Sequence, residues 1–123
     1  MTYIDTFVVA VPTAQRDAYR KHCETVDPWF LENGALRVVE NWGDDVPKGE
    51  VTDFHRAVAA KDDETVCFGW IEWPDKATRD ESMGRLMSGE LKDDRFDPEK
   101  NPMPFDGKRM IFGGFEPIFD QSA

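Results

Sequence analysis

Tyr3-Ile4-Asp5-Thr6-Phe7-Val8-Val9-Ala10-Val11 is the stretch on which the fold turns. It is β-branched and aromatic, and it stops at Pro12, whose nitrogen cannot donate to a ladder, so the pattern predicts a first strand. Thr13 can cap the next element, in which Tyr19, Cys23, Val26 and Phe30 recur at steps of four, three and four. That is the apolar stripe of a helix lying on a sheet, so the chain opens as a strand and then a helix.

Pro28 disturbs that helix one turn back, while Asp27 before it can cap a second short helical piece with Pro28 in its first position, closed by Asn33-Gly34. A break is expected at Asp27. Leu36, Val38, Glu40 and Trp42 then alternate with Arg37, Val39 and Asn41, the period-two signature of a second strand ending at Gly43. Residues 44–51 contain Pro47 and Gly49 and read as a loop. Periodicity does not decide between helix and edge strand for residues 53–60, but a long structureless connection is uncommon in a compact domain. Local structure with Phe54 and Val58 turned inward is the expectation there.

Residues 65–73 form a strongly apolar and aromatic third strand ended by Pro74. Asp75 caps a second long helix, on which Ala77, Met83, Leu86, Met87 and Leu91 lie near one face, with an end near Gly89. Residues 90–108 hold Pro98, Pro102 and Pro104 among many charges and read as a surface excursion closing on the Asp106-Gly107 turn. Residues 109–119 are the fourth strand.

Strand, helix, strand, strand, helix, strand is the split βαβ order of the ferredoxin-like fold: an α+β class with a four-stranded antiparallel sheet covered by helices on one face. With no repeat, low-complexity tract or second core, residues 1–123 read as a single domain of ordinary size. Strands one, three and four carry large apolar groups on both parities, as in Phe7 beside Val8, Phe68 beside Ile71 and Phe112 beside Phe115. A sheet wetted on one side alternates more cleanly. The helix-free face therefore needs cover, and a second copy packed sheet to sheet about a two-fold axis supplies it, giving a homodimer with a barrel-like core.

Fifteen basic residues against twenty-five acidic give a formal charge of -10. Nucleic acid and anionic membrane would meet repulsion over most of such a surface, so neither is expected as a partner. The opening residues lack a basic leader region, and no apolar run approaches a membrane span, which together predict a cytoplasmic protein. Cys23 and Cys67 have no CxxC spacing and read as buried, reduced thiols.

Several segments, in their order and spacing, carry a resemblance: Phe7-Val8-Val9-Ala10-Val11-Pro12-Thr13, Tyr19-Arg20-Lys21-His22, Arg37-Val38-Val39-Glu40, Trp42-Gly43-Asp44-Asp45-Val46-Pro47, Val51-Thr52-Asp53-Phe54, Trp70-Ile71-Glu72, and Met103-Pro104-Phe105-Asp106-Gly107-Lys108-Arg109-Met110 with Gly113-Gly114-Phe115. Over nearly the whole chain the sequence resembles the YbaA-like family of domains of unknown function. The resemblance implies a small, cytosolic, dimeric α/β-barrel protein of bacterial character and supplies no reaction. The wider structural relatives it implies include cofactor-free monooxygenases, haem-degrading enzymes and small-molecule sensors, and fold analogy does not choose among them.

Candidate chemistry is sparse. Glu40 and Trp42 share one face of strand two, and Trp70 and Glu72 one face of strand three. A carboxylate beside an indole in an apolar cavity makes a general base with raised pKa, although packing tryptophans and wetted strand-end glutamates fit the same pattern. His22 beside the helical stripe is a candidate base, since imidazole titrates near neutral pH. His22 and His55 both lack partners at metal-ligand spacing, and no metal or cofactor is expected. Asp44-Asp45 reads as a solvated turn, Gly113-Gly114 as a bulge or close packing, and Arg109 as an ion-pair partner of Asp106 or a ligand for an anion.

These residues support two functions. One is a small-molecule-binding protein with a pocket lined by Trp42, Phe68, Trp70 and Phe112. The alternative is a cofactor-independent, monooxygenase-like enzyme in which His22 or Glu72 abstracts a proton from a small organic substrate and Arg109 or Trp42 steadies the anion. A dimer whose aromatic faces are all interface, with no cavity, is the structural counterpart of both.

Overall fold

The computed structural model describes residues 2–123. Four strands, β1 (Tyr3–Pro12), β2 (Arg37–Trp42), β3 (Glu64–Trp73) and β4 (Ile111–Phe115), form one sheet in the order β2-β3-β1-β4, with every neighbouring pair antiparallel. The connections are α1 (Arg16–Val26) and α2 (Pro28–Glu32) between β1 and β2, α3 (Phe54–Ala57) between β2 and β3, and α4 (Lys76–Met87) between β3 and β4. This is the ferredoxin-like arrangement that the element order predicts. None of the helices among the described residues is long and apolar enough to cross a membrane.

Register fixes which residues share a face. Val9 opposes Cys67, Phe7 opposes Gly69 and Phe112, and Glu40 opposes Gly69, so Val9, Phe7, Cys67, Gly69, Glu40 and Phe112 all point toward the helices. Val26, Trp29, Phe30, Ile71 and Trp73 pack there as the main core, and Val9, Val11, Tyr19 and Cys67 as a second cluster. On the far face the short α3 segment covers one end, where Val58 is buried on Val8, Ala10 and Val66. Phe54, expected to turn inward, is instead 49% exposed and lies edge-on against Phe68, because the cap at Asp53 commits the single turn of α3 to placing Val58 underneath.

Three further boundaries differ from the expectation. Asp27 does not cap α2 with its side chain: its backbone stays helical (φ -65, ψ -30) and its N–H still bonds Cys23 O at 2.9 Å, which turns the carboxylate away from the α2 amides. Arg109 lies in a short 3-10 turn, Gly107–Arg109, capped by the Asp106 carboxylate, so β4 begins only at Ile111. It also ends at Phe115, because Phe115 already pairs with Ile4 and β1 has almost no chain left to extend the ladder. Beyond it Ile118 and Phe119 are exposed.

Candidate functional site

Tyr19, Cys23 and Asp27 recur every four residues and so lie one above another on the sheet-facing side of α1 and its C-terminal turn. Glu40, the helix-facing residue of the edge strand β2, meets them. The Tyr19 hydroxyl donates to Glu40 Oε2 at 3.0 Å, and the Cys23 thiol and the Asp27 and Glu40 carboxylates each place an atom within 4.8 Å of the others. Room for Glu40 comes from Gly69 opposite it. A Cβ there would run into the Phe7 ring and stand 2.9 Å from Glu40 Oε2.

This cluster opens on a cavity of about 330 Å³ between sheet and helices. Phe7, Val9, Phe30, Ile71 and Leu86 supply apolar walls, and the excursion after α4 closes the other side with Phe96, Asn101, Met103 and Phe105. Two short 3-10 turns, Asp94–Phe96 and Gly107–Arg109, hold that excursion, and the Asn101 amide donates to Arg95 O at 2.7 Å. Phe105 packs edge-on against both Tyr19 and His22, at 5.8 Å in each case.

The electrostatics follow from enclosure. Burial pushes the Asp27 carboxyl up to about 9, with the neighbouring Glu40 adding to the effect, and burial likewise raises Glu40. Hydrogen bonds from Asp27, Tyr19 and Cys23 pull Glu40 back toward its charged form. The Tyr19 hydroxyl and the Cys23 thiol are held well above their ordinary values, chiefly by burial and then by the Glu40 charge. Burial lowers His22, opposed by its contact with Asn101, and His22 Nδ1 is buried with no hydrogen-bond partner among the described residues.

No lysine or arginine pairs with Asp27 or Glu40 among the described residues. The arginine that reaches the cavity, Arg95, is already bound to Glu32 at 2.9 and 3.0 Å and to Asp93 at 2.7 Å. Cys23, Asp27 and Glu40 are also the one group of described residues whose donors converge closely enough to hold a metal ion. Binding one would require all three to lose their protons, which burial opposes at each.

The family model described as a protein of unknown function, DUF1428, matches residues 2–107. The chain belongs to the DUF1428 family. It is 52% identical over 121 residues to the uncharacterized protein YbaA of Escherichia coli strain K12 and to that of Shigella flexneri, covering 98% of this chain and 100% of theirs. Among solved structures, a dimeric ferredoxin-like protein from an uncultured marine organism superposes with a TM-score of 0.55 at 11% identity, over 99% of this chain and 98% of that one. HapK from Hahella chejuensis gives 0.51 at 15% identity, over 100% and 98%. At such identities these two establish the ferredoxin-like fold of the DUF1428 chain and nothing of its chemistry.

Within this DUF1428 fold the residues singled out from the sequence are divided between two faces. His22 and Phe112 line the helix-side cavity, and Trp42 sits beside it, its ring 6.3 Å from that of Tyr19. Phe68, Trp70 and Glu72 lie on the opposite face, where the Trp70 indole N–H donates to Glu72 Oε2 at 2.9 Å. Arg109 is committed to Glu64 and Asp106. Asp27, Tyr19 and Cys23 escaped notice as chemistry because each also serves a plain helical role. The available signal was their spacing of four, which projects two ionisable groups and a phenol onto one stripe.

Proposed function

We propose that this DUF1428 protein is a homodimer in which each protomer binds a small, largely apolar organic molecule in its helix-side cavity. The observation that carries the reading is a cavity of about 330 Å³ whose apolar walls converge on one polar cluster, Tyr19, Asp27 and Glu40, a combination typical of small-molecule sites. Because no uncommitted lysine or arginine among the described residues lines the cavity, the ligand is uncharged or carries a basic nitrogen, and carboxylates are rejected. Dimerisation draws support from the far face, where Phe68, Ile111 and Phe115 are 37%, 45% and 58% exposed, and from the dimeric description of one ferredoxin-like neighbour.

A thermal-shift screen of aromatic ketones, benzylamines and benzoates tests the ligand class. Ketones or amines should raise the unfolding temperature, since a ligand of the native state at a hundredfold excess over Kd adds about 2.7 kcal/mol. No shift from any ketone or amine, or shifts from benzoates alone, would sink it. Light scattering should give twice the chain mass for the wild type and a monomer for Trp70→Glu on the open face. A monomeric wild type ends the dimer reading. The carboxyl pair favours a second reading, an enzyme that moves a proton on the molecule it binds, of which the cofactor-independent monooxygenase type is one case.

A further inference from the structure

We propose that Asp27 and Glu40 form one proton-sharing dyad that catalyses reversible proton transfer at the carbon beside the carbonyl of an uncharged, mainly apolar ketone held in the helix-side cavity. This rests on the small-molecule reading above and adds a reaction to it. Two carboxyl groups this close, in apolar walls and paired with no lysine or arginine among the described residues, do not both ionise, so the pair holds one proton. The site therefore presents a base and an acid side by side. Among the described residues the dyad is faced by Tyr19 and Cys23 of α1 and Cys67 of β3, each held in its neutral form by burial. The other ionisable groups lining the cavity are His22, whose charged form burial disfavours, Asp5, which is paired with Arg79, and Arg95, which is paired with Glu32 and Asp93.

The division of labour follows from the hydrogen bonds. Glu40 receives the Tyr19 hydroxyl at 3.0 Å, which favours its ionised form, and Asp27 has no such donor among the described residues and keeps the proton. Glu40 removes the proton as the C–H bond breaks. The electron pair forms the C=C bond, the carbonyl π pair moves onto oxygen, and that oxygen takes the Asp27 proton. The product is a neutral enol with the charge now on Asp27. Once the protonated Glu40 has traded its proton with solvent, running the step backward returns a different proton to the same face of the carbon, so the net change is isotope exchange. With a conjugated dienol, delivery of that proton to the γ-carbon instead moves the double bond. Nothing is oxidised or reduced, and the balance closes without a co-reactant. Concerted transfer never places a full enolate in the cavity, which is what a site with no uncommitted cation among the described residues requires.

The test uses the full chain in neutral deuterated buffer with 1-indanone and propiophenone as probes. Mass spectrometry reads deuterium uptake beside the carbonyl, and thermal shift reads binding in parallel. The wild type should exceed the buffer blank by roughly 10²-fold. Glu40→Gln and Asp27→Asn should return uptake to the blank, and Glu24→Gln, on the exposed side of α1, should leave it unchanged. If the ketones raise the unfolding temperature of the wild type yet uptake equals the blank, the dyad inference is overturned and the binding reading stands. If neither ketone binds, the dyad inference falls, and the binding reading falls with it only when the benzylamines also give no shift. Uptake that survives in Glu40→Gln also overturns the assignment. Should Glu40→Gln not fold, Tyr19→Phe probes the same centre: losing its hydrogen bond should move the midpoint of the pH–rate profile upward, and an unmoved profile counts against the dyad.

Discussion

Arg109 closes on Glu64 through two parallel hydrogen bonds, Nη1 to Oε1 and Nη2 to Oε2, both 2.7 Å, while the same Nη1 donates to Ala59 O at 2.8 Å. The guanidinium thus ties the turn before β4 to the first residue of β3 and to the end of the α3 segment. Its partner carboxyl is held down at about 2, first by Arg109. A depressed carboxyl contributes stability that is present above its unfolded value of 4.5 and lost as pH falls toward 2. Urea unfolding of Arg109→Lys, which keeps the charge but loses the fork, should show a lower midpoint at neutral pH and a shallower loss of stability on acidification than the wild type. Equal curves would show that the fork contributes nothing to stability.

A second buried network is predicted to matter more for stability. Asp5, 6% exposed, accepts the Trp73 indole N–H at 2.9 Å and the Arg79 guanidinium at 2.9 to 3.1 Å. Asp5→Ala strands a cation and an indole donor and should cost about 3 kcal/mol. Trp73→Phe, which leaves the Asp5–Arg79 pair intact, loses its hydrogen bond together with some packing. In a chemical denaturation series the Arg79→Met, Asp5→Ala double variant should be less destabilised than the two single changes predict when summed.

The raised Asp27 carboxyl makes an opposite prediction for pH. Its folded value of about 9 lies above the ordinary 3.8, so the native state holds a proton that the unfolded chain releases. That stability is complete below 3.8 and drains away as pH climbs toward 9, at most at about 1.4 kcal/mol per pH unit. Asp27→Asn should flatten the decline across this window. Parallel wild-type and variant stability–pH curves there would contradict the buried proton.

Gly69→Ala probes the space that Glu40 occupies. The added methyl meets Phe7 and stands 2.9 Å from Glu40 Oε2, so either the strand or the carboxylate must yield. Overpacking of this kind costs about 1–3 kcal/mol. The variant should also weaken any ketone-induced thermal shift, whereas Gly84→Ala, whose methyl enters open space, should leave that shift unaltered.

The backbone was legible in the sequence wherever local chemistry and burial agree. β1 ends at Pro12 and β3 at Trp73 just before Pro74, α1 gives way to α2 at Asp27, and Asp75 caps α4 by accepting from Thr78 N at 2.7 Å. Parity also put Glu40 with Trp42 and Trp70 with Glu72. What parity lacks is an absolute direction: it does not say that the first pair looks toward the helices and the second away, because aromatic residues occupy both faces. The cavity's outer wall was equally hidden. Residues 90–109 are fixed by carboxylate-capped turns and by the Arg95 ion pairs, contacts that leave no periodic trace.

The antiparallel ladder between β2 and β3 assigns alternate residues to opposite tasks: Val38, Glu40 and Trp42 to the interior space, Arg37, Val39 and Asn41 to the bare side. Each side can therefore drift under its own selection while the other is held constant, one for what enters the protein and the other for what the protein leans against. The same alternation makes β2 intolerant of a single inserted residue. Such an insertion would exchange the two roles at once, turning an acid out to the surface and an amide or aliphatic group in.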